Sequence, residues 1–129
     1  MRLLLDTHTF LWWLAGDRRL PGAARSAILE VGNEVYVSAA SAWEVATKVR
    51  LGKLATATWL AHNFIGYVAT QGFRELPIST EHAQRSGFLP GPHADPFDRM
   101  LVAQAQAENL TLVSNEAIFD TLGVLRIWS

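Results

Sequence analysis

Several acids in this chain lie where a carboxylate is costly or out of pattern. Asp6 directly follows the apolar run Leu3-Leu4-Leu5, and an acid there is expensive if buried without a partner. It either caps the helix that follows or holds a cation at the mouth of a sheet. Asp98 heads a helical column whose next members are Val102 and Ala105. The helix dipole favours a first-turn acid by about 0.3–1 kcal/mol, yet a column that is otherwise apolar should face the core. Asp95 lies three residues before Asp98 and shares its face, so the two carboxylates repel until one protonates or a cation joins them. Glu44 follows Trp43 and has Lys48 four residues on, an i,i+4 pair worth roughly a few tenths of a kcal/mol. Glu116 closes Val113-Ser114-Asn115-Glu116, a setting that also suits an ordinary first-turn acid. No one of these acids is specific by itself. Their joint pattern is stronger: one after the first strand, one on a mid-chain helix, one at a late helix start, one after the next strand.

The elements that must position these acids are legible from periodicity. Leu3-Leu4-Leu5 suits a central parallel strand covered on both faces. Helices are predicted over 7–15 and 22–31, the second closed by Gly32-Asn33. Val35-Tyr36-Val37 is a second strand, and Ser38 is placed to cap the helix after it. In that helix Ala39, Ala42, Trp43, Ala46 and Val49 recur as an apolar stripe, with Glu44 near its edge, and Gly52 ends it. A further helix is predicted over 59–69, a weaker strand over 73–78 and a short helix over 80–86. Asp95-Pro96 has the chemistry of a helix start, with Asp95 as N-cap and Pro96 at the first helical position, for a helix running to about Glu108. Thr111-Leu112-Val113 is a strand, 117–122 a short helix and 125–128 a closing strand. Strands alternating with helices predict an α/β domain with a mainly parallel central sheet flanked by helices. In such sheets ligands bind beyond the carboxyl ends of the strands, where Asp6 and Ser114 fall.

Composition narrows the chemistry. The 129 residues are 50% hydrophobic and 18% charged, enough for one domain with a real core, so intrinsic disorder is excluded. Cysteine is absent, which excludes a disulfide scaffold and leaves any metal to oxygen or imidazole donors, favouring hard cations. The net charge is −1 with no polybasic run. The most apolar stretch, 3–14, is interrupted by Asp6 and His8 and is too short to span a bilayer. It also lacks a cleavage site, so a cytoplasmic protein with an intact start and no membrane association is expected.

The chain resembles the PIN-domain ribonucleases of the toxin type found in VapBC toxin–antitoxin systems. The resemblance is carried by Leu3-Leu4-Leu5-Asp6-Thr7-His8, by Ser41-Ala42-Trp43-Glu44-Val45-Ala46-Thr47-Lys48, by His93-Ala94-Asp95-Pro96-Phe97-Asp98-Arg99 with the helix that follows, and by Leu112-Val113-Ser114-Asn115-Glu116. The segments span the chain, implying a single PIN domain over 1–129. Position by position, the family's acidic cluster falls on Asp6, Glu44, Asp98 and Glu116. The last departs from the family's usual Asp, with Ser114 at the hydroxyl position. Asp95 or a metal-bound water therefore stays open as an alternative fourth ligand, and Asp120 lies a turn further along.

The resemblance implies an RNA substrate, a homodimer and a cognate VapB-type antitoxin whose arm covers the acidic pocket. It also implies Mg²⁺ or Mn²⁺, which activates water and neutralises phosphate charge. Mg²⁺ takes few direct carboxylates, so Asp6 and Asp98 are expected to hold the metal, with Glu44 and Glu116 holding its waters. Thr7 and Ser114 would orient those waters or a phosphate oxygen. Trp12, Trp13 and Trp59 are the expected interface anchors. Three rivals are weighed against this. The histidines are too scattered for zinc, and Asp6-Thr7-His8 with no Gly-rich loop fits a phosphotransferase poorly. A catalytically degenerate PIN-like domain that only binds RNA or a partner protein is the non-enzyme alternative.

Overall fold

The three leucines at the start of the chain point alternately to opposite sides of one sheet, and this alternation organises the fold. In the computed structural model, which describes all of residues 1–129, they lie in β1 (Arg2–Leu5). Leu3 and Leu5 enter one hydrophobic core and Leu4 the other, as the two-residue period of a strand requires. All three are fully buried, and each such burial is worth about 1.5–3 kcal/mol.

The remaining strands are β2 (Glu34–Ser38), β3 (Arg74–Leu76), β4 (Thr111–Val113) and β5 (Arg126–Ile127). They form one five-stranded sheet in the order β3-β2-β1-β4-β5, parallel throughout. β1 is central, with Leu4 opposite Tyr36 on one side and Leu112 on the other. The chain builds outward from β1 in one direction and then in the other. The carboxyl ends of β1 and β4 therefore flank the switch point where such sheets bind ligands.

Helices α1 (Thr7–Ala15), α2 (Gly22–Leu29), α3 (Ala39–Arg50), α4 (Thr58–Ala61) and α5 (Phe64–Thr70) bring residues to the face of Leu3 and Leu5. Phe10, Ile28, Val45, Leu60 and Val68 fill that core. Helices α6 (Thr80–Phe88) and α7 (Pro96–Glu108) cover the other face, where Leu101, Val102 and Ala105 pack with Leu4 and Leu112. None of these helices is long and apolar enough to cross a membrane.

Two features fix α7, which carries Asp98. At its start the Asp95 carboxylate accepts from the backbone N–H groups of Phe97 and Asp98 at 2.9 and 3.1 Å, with Pro96 at the first helical position, as its sequence predicts. In its middle Gln104, fully buried, accepts from the Ser38 hydroxyl at 2.5 Å and donates to the Pro77 carbonyl at 3.2 Å. Ser38 also accepts from the Ala40 N–H, capping α3. One buried amide thus ties α7 to the end of β2 and the start of α3, setting Asp98 relative to Glu44.

Elsewhere the structure departs from the pattern reading. The helix predicted over 59–69 is two helices, because Asn63 leaves helical geometry (φ −149°, ψ 44°). Its amide sits over the first turn of α5, where a Cβ on Gly66 would come within 2.5 Å of Asn63 Oδ1. The helix predicted over 22–31 stops at Leu29. The short helix predicted over 117–122 is a 3-10 helix over Ala117–Thr121. The apolar stripe of α3 is rotated: Ala40, Ser41, Glu44 and Val45 are buried, whereas Trp43 is exposed.

Candidate active site

Asp6 is the first residue past β1, and it meets two demands with one side chain. Its carboxylate accepts from the Thr9 N–H at 2.9 Å and caps α1, while its backbone N–H continues the ladder to the Val113 carbonyl. Capping and a place at the sheet mouth are therefore compatible. Asp6 is only 5% exposed, and no lysine or arginine pairs with it. Burial pushes its pKa up, against the opposing hydrogen bonds from Ser114 and Thr9.

Asp6, Thr7 and Glu44 meet Asp95, Asp98 and Glu116 around one cavity of about 50 Å³, completed by His8 and Lys48, with no hydrophobic side chain in its wall. Acids from the ends of β1 and β4, from α3 and from the start of α7 thus converge. Ser114 is fully buried and does not line the cavity; its Oγ accepts from the Glu116 N–H at 3.0 Å. Asp120 is elsewhere, paired with Arg126 through two 2.8 Å hydrogen bonds.

Glu44 is buried and held at both oxygens. Thr7 donates to Oε1 at 2.6 Å and the Lys48 ammonium donates to Oε2. Ser41 Oγ lies 2.9 Å from the same threonine oxygen. Thr7 has a single hydroxyl proton and directs it to the carboxylate, so Ser41 is the donor of that second bond. Burial pulls the Lys48 ammonium down most, but its bond to Glu44 and the charges of Glu44, Asp95 and Asp98 outweigh this, and its pKa is raised.

Asp98 accepts from His93 Nε2 at 2.8 Å through Oδ2. Burial is the main cause that pushes its pKa up, to about 6; the His93 hydrogen bond opposes this, and Asp95 and Glu116 add to it. The three residues that pattern reading did not place here are Lys48, His8 and His93. From spacing Lys48 reads as an i,i+4 partner of Glu44, and the histidines as scattered rings. Spacing carries no signal for a histidine that reaches its acid through a loop.

No three of the acidic and imidazole side chains stand close enough to grip one ion in this arrangement. The donor set nevertheless fits a hard divalent cation. Carboxylate oxygens dominate it, with one hydroxyl and the His8 imidazole beside them, and it includes a buried acid with no lysine or arginine partner from the chain. An ion of charge +2 would offset the cost of burial that lifts Asp6 and Asp98, and the repulsion from Asp95 and Glu116 that adds to it at Asp98.

Beside this cavity lies a larger cleft of about 410 Å³, lined by Leu11, Trp12, Leu54 and Trp59 among others, with His8 common to both. Trp12 carries the Arg19 guanidinium 4.8 Å from its ring centroid. Trp13 instead donates to Gln71 and packs on Phe73.

Comparison with known proteins agrees with this architecture. Residues 3–125 match the PIN domain family. Over 118 residues the chain is 34% identical to ribonuclease VapC22 of Mycobacterium tuberculosis, covering 88% of this chain and 86% of that one. Two solved structures share the fold. VapBC2 from Rickettsia felis, bound to a DNA fragment from its promoter, superposes with a TM-score of 0.70 at 18% identity over the whole of both chains. VapC20 of Mycobacterium tuberculosis, a Sarcin-Ricin loop cleaving toxin, superposes with a TM-score of 0.65 at 16% identity, covering 98% of this chain and 99% of that one.

Proposed function

This chain belongs to the PIN-domain family, with the VapC-type ribonuclease toxins, and from that premise we propose that it hydrolyses RNA phosphodiester bonds with Mg²⁺ or Mn²⁺. In this reading it is a single domain over residues 1–129, acts in the cytoplasm as a homodimer and is neutralised by a cognate VapB-type antitoxin. The observation that carries the reading is Asp6: a carboxylate 5% exposed, unpaired by any lysine or arginine, opening on a cavity walled only by polar and charged side chains. Such a group costs stability unless a cation binds beside it.

A divalent cation held there supplies two effects, neutralising the scissile phosphate and acidifying a water. Asp6 and Asp98 are short and stand at element ends, so they would be its direct ligands. Glu44 is fixed from both sides, by Thr7 and Lys48, and suits accepting the proton of the attacking water. That water's oxygen would bond to phosphorus as the bond to the leaving nucleotide breaks; the leaving oxygen would take a proton from solvent, and Glu44 would return its own to solvent. Asp95 and Glu116 extend the acidic wall toward solvent. Ser114 acts from behind, through its bonds to Asp6 and to the Glu116 backbone.

The test is cleavage of total RNA with Mg²⁺, Mn²⁺ or excess EDTA, comparing the parent with Asp98→Asn. Cleavage is expected with either metal and is lost with EDTA or the substitution. Full cleavage in EDTA would overturn the metal mechanism. RNA binding without cleavage under every condition would favour the degenerate, binding-only alternative.

A further inference from the structure

In the segment His93-Ala94-Asp95-Pro96-Phe97-Asp98-Arg99, His93 bonds to the Asp98 carboxylate, and Asp95 and Arg99 fix the backbone that carries the pair. Asp95 caps the backbone of Phe97 and Asp98. The Phe97 ring stands edge-on to Trp43, centroids 4.8 Å apart, beside Glu44. Arg99 reaches backward. Its Nη1 donates to the His93 carbonyl at 2.8 Å and its Nη2 to the Leu89 carbonyl, so one guanidinium pins the loop that precedes α7. The pinned loop holds the His93 ring against Asp98, with Nε2 2.8 Å from Oδ2. A carboxylate oxygen accepts, so Nε2 carries the donated proton. The contact is sheltered, the side chains being 22% and 16% exposed. Only Oδ2 is engaged; no side chain or backbone N–H donates to Oδ1.

We propose that His93 is a positioning residue that fixes the Asp98 carboxylate and keeps Oδ1 turned to the cation site, and that Arg99 acts through His93 by holding its loop. The proposal rests on the reading of Asp98 as a direct cation ligand. Its physical basis is that the terminal torsion of aspartate is broad, so an unrestrained carboxylate spends much of its time off the coordinating orientation. Hydrogen bonds that orient a ligand are typically worth about 10–100-fold in metal affinity or activity. An Arg99 that served only to stabilise the helix start would leave cation affinity alone.

The experiment is a Mn²⁺ titration of the full chain, followed by the electron paramagnetic resonance of free Mn²⁺. It compares the parent with Asp98→Asn, His93→Ala, His93→Gln, Arg99→Met and the double variant His93→Ala/Arg99→Met. Expected are a loss of about 10–100-fold for His93→Ala, a smaller loss for Arg99→Met, and a double variant no weaker than His93→Ala. His93→Gln, whose amide can donate to the same oxygen, should recover most of the affinity. The proposal is overturned if His93→Ala binds Mn²⁺ like the parent, if glutamine restores nothing, or if the two losses add. A parent that binds no Mn²⁺, or an Asp98→Asn variant that binds as well as the parent, overturns instead the reading of Asp98 beneath it.

Discussion

Thr7 and Glu44 are joined by a 2.6 Å hydrogen bond that runs from the first turn of α1 to the middle of α3. With Lys48 on its other oxygen, Glu44 is the most restrained acid of the cavity, while Asp6, equally buried, has no lysine or arginine partner and Glu116 is exposed. This ordering separates acids able to turn toward a cation from one fitted to hold a water in a fixed place. Removing the hydroxyl with Thr7→Val should loosen Glu44 and lower the melting temperature. A bond to a charged group is worth about 1.5–3 kcal/mol, and cleavage should fall with it. Thr7→Ser should restore both. A valine variant that keeps full cleavage would show that Glu44 needs no fixing.

Asp6→Asn is expected to abolish cleavage while leaving the metal-free protein as stable as the parent or slightly more so. Asparagine retains an oxygen for the Thr9 N–H and removes a charge that burial disfavours. Melting in EDTA is the measurement. A large drop would mean that the carboxylate serves chiefly as the α1 cap.

The elevated pKa of Asp98 has a direct consequence for pH. In the folded chain it is pushed up to about 6, against an ordinary value of 3.8. Between these values the folded state holds more proton than the unfolded one, so this group's contribution to metal-free stability falls as pH rises through the window. Asp6, also raised by burial, acts in the same direction. Asp17, lowered to about 2 by Arg19, acts in the opposite one. The difference between parent and Asp98→Asn isolates the effect. In EDTA the variant's advantage should grow from pH 4 to pH 6.5 and then level off. Mn²⁺ affinity of the parent should weaken below about pH 6, where the cation must displace the proton. A stability difference that is flat with pH would contradict the buried, repelled carboxylate.

The parts of the site that pattern reading recovers are those fixed by local chemistry. Asp95-Pro96 announces the start of α7 because capping and a fixed proline φ act within one turn. Leu3-Leu4-Leu5 announces β1 because a strand covered on both faces has no polar side. The α3 stripe is misread for the converse reason. Its buried face carries Ser41 and Glu44, polar groups satisfied by Thr7 from a distant helix, and a hydropathy pattern cannot see that partner. His93 escapes for a similar reason, since its role depends on a loop held by Arg99. Gln104 reads as a polar residue in α7 until Ser38 and Pro77 close around it.

Glu116 should matter less than Asp6 or Asp98. It is exposed at the cavity rim, and only its backbone N–H is engaged, by Ser114. Glu116→Gln is expected to retain measurable cleavage under conditions where Asp98→Asn retains none, and Glu116→Asp to work at least as well as the parent. Glutamine and aspartate variants both as inactive as Asp98→Asn would make Glu116 a direct ligand.

The last prediction concerns how the proposed antitoxin silences this site. His8 belongs both to the acidic cavity and to the apolar cleft of Leu11, Trp12, Leu54 and Trp59, so one partner segment can occupy both. Apolar side chains in the cleft would supply most of the affinity, and a nearby Arg or Lys would reach Asp6, Asp98 or Glu44. A sheltered charge-assisted pair of this kind is strong and excludes the metal ion. Trp12→Ala or Trp59→Ala should therefore weaken partner binding while leaving cleavage by the free toxin near that of the parent. Replacing the partner's basic residue should spare much of the binding and lose inhibition, with Mn²⁺ affinity of the complex recovering toward that of the free chain. If a partner without that residue binds and inhibits as before, no cation occupies the cavity. Inhibition would then come from covering the RNA path, and Mn²⁺ should bind the complex and the free chain alike.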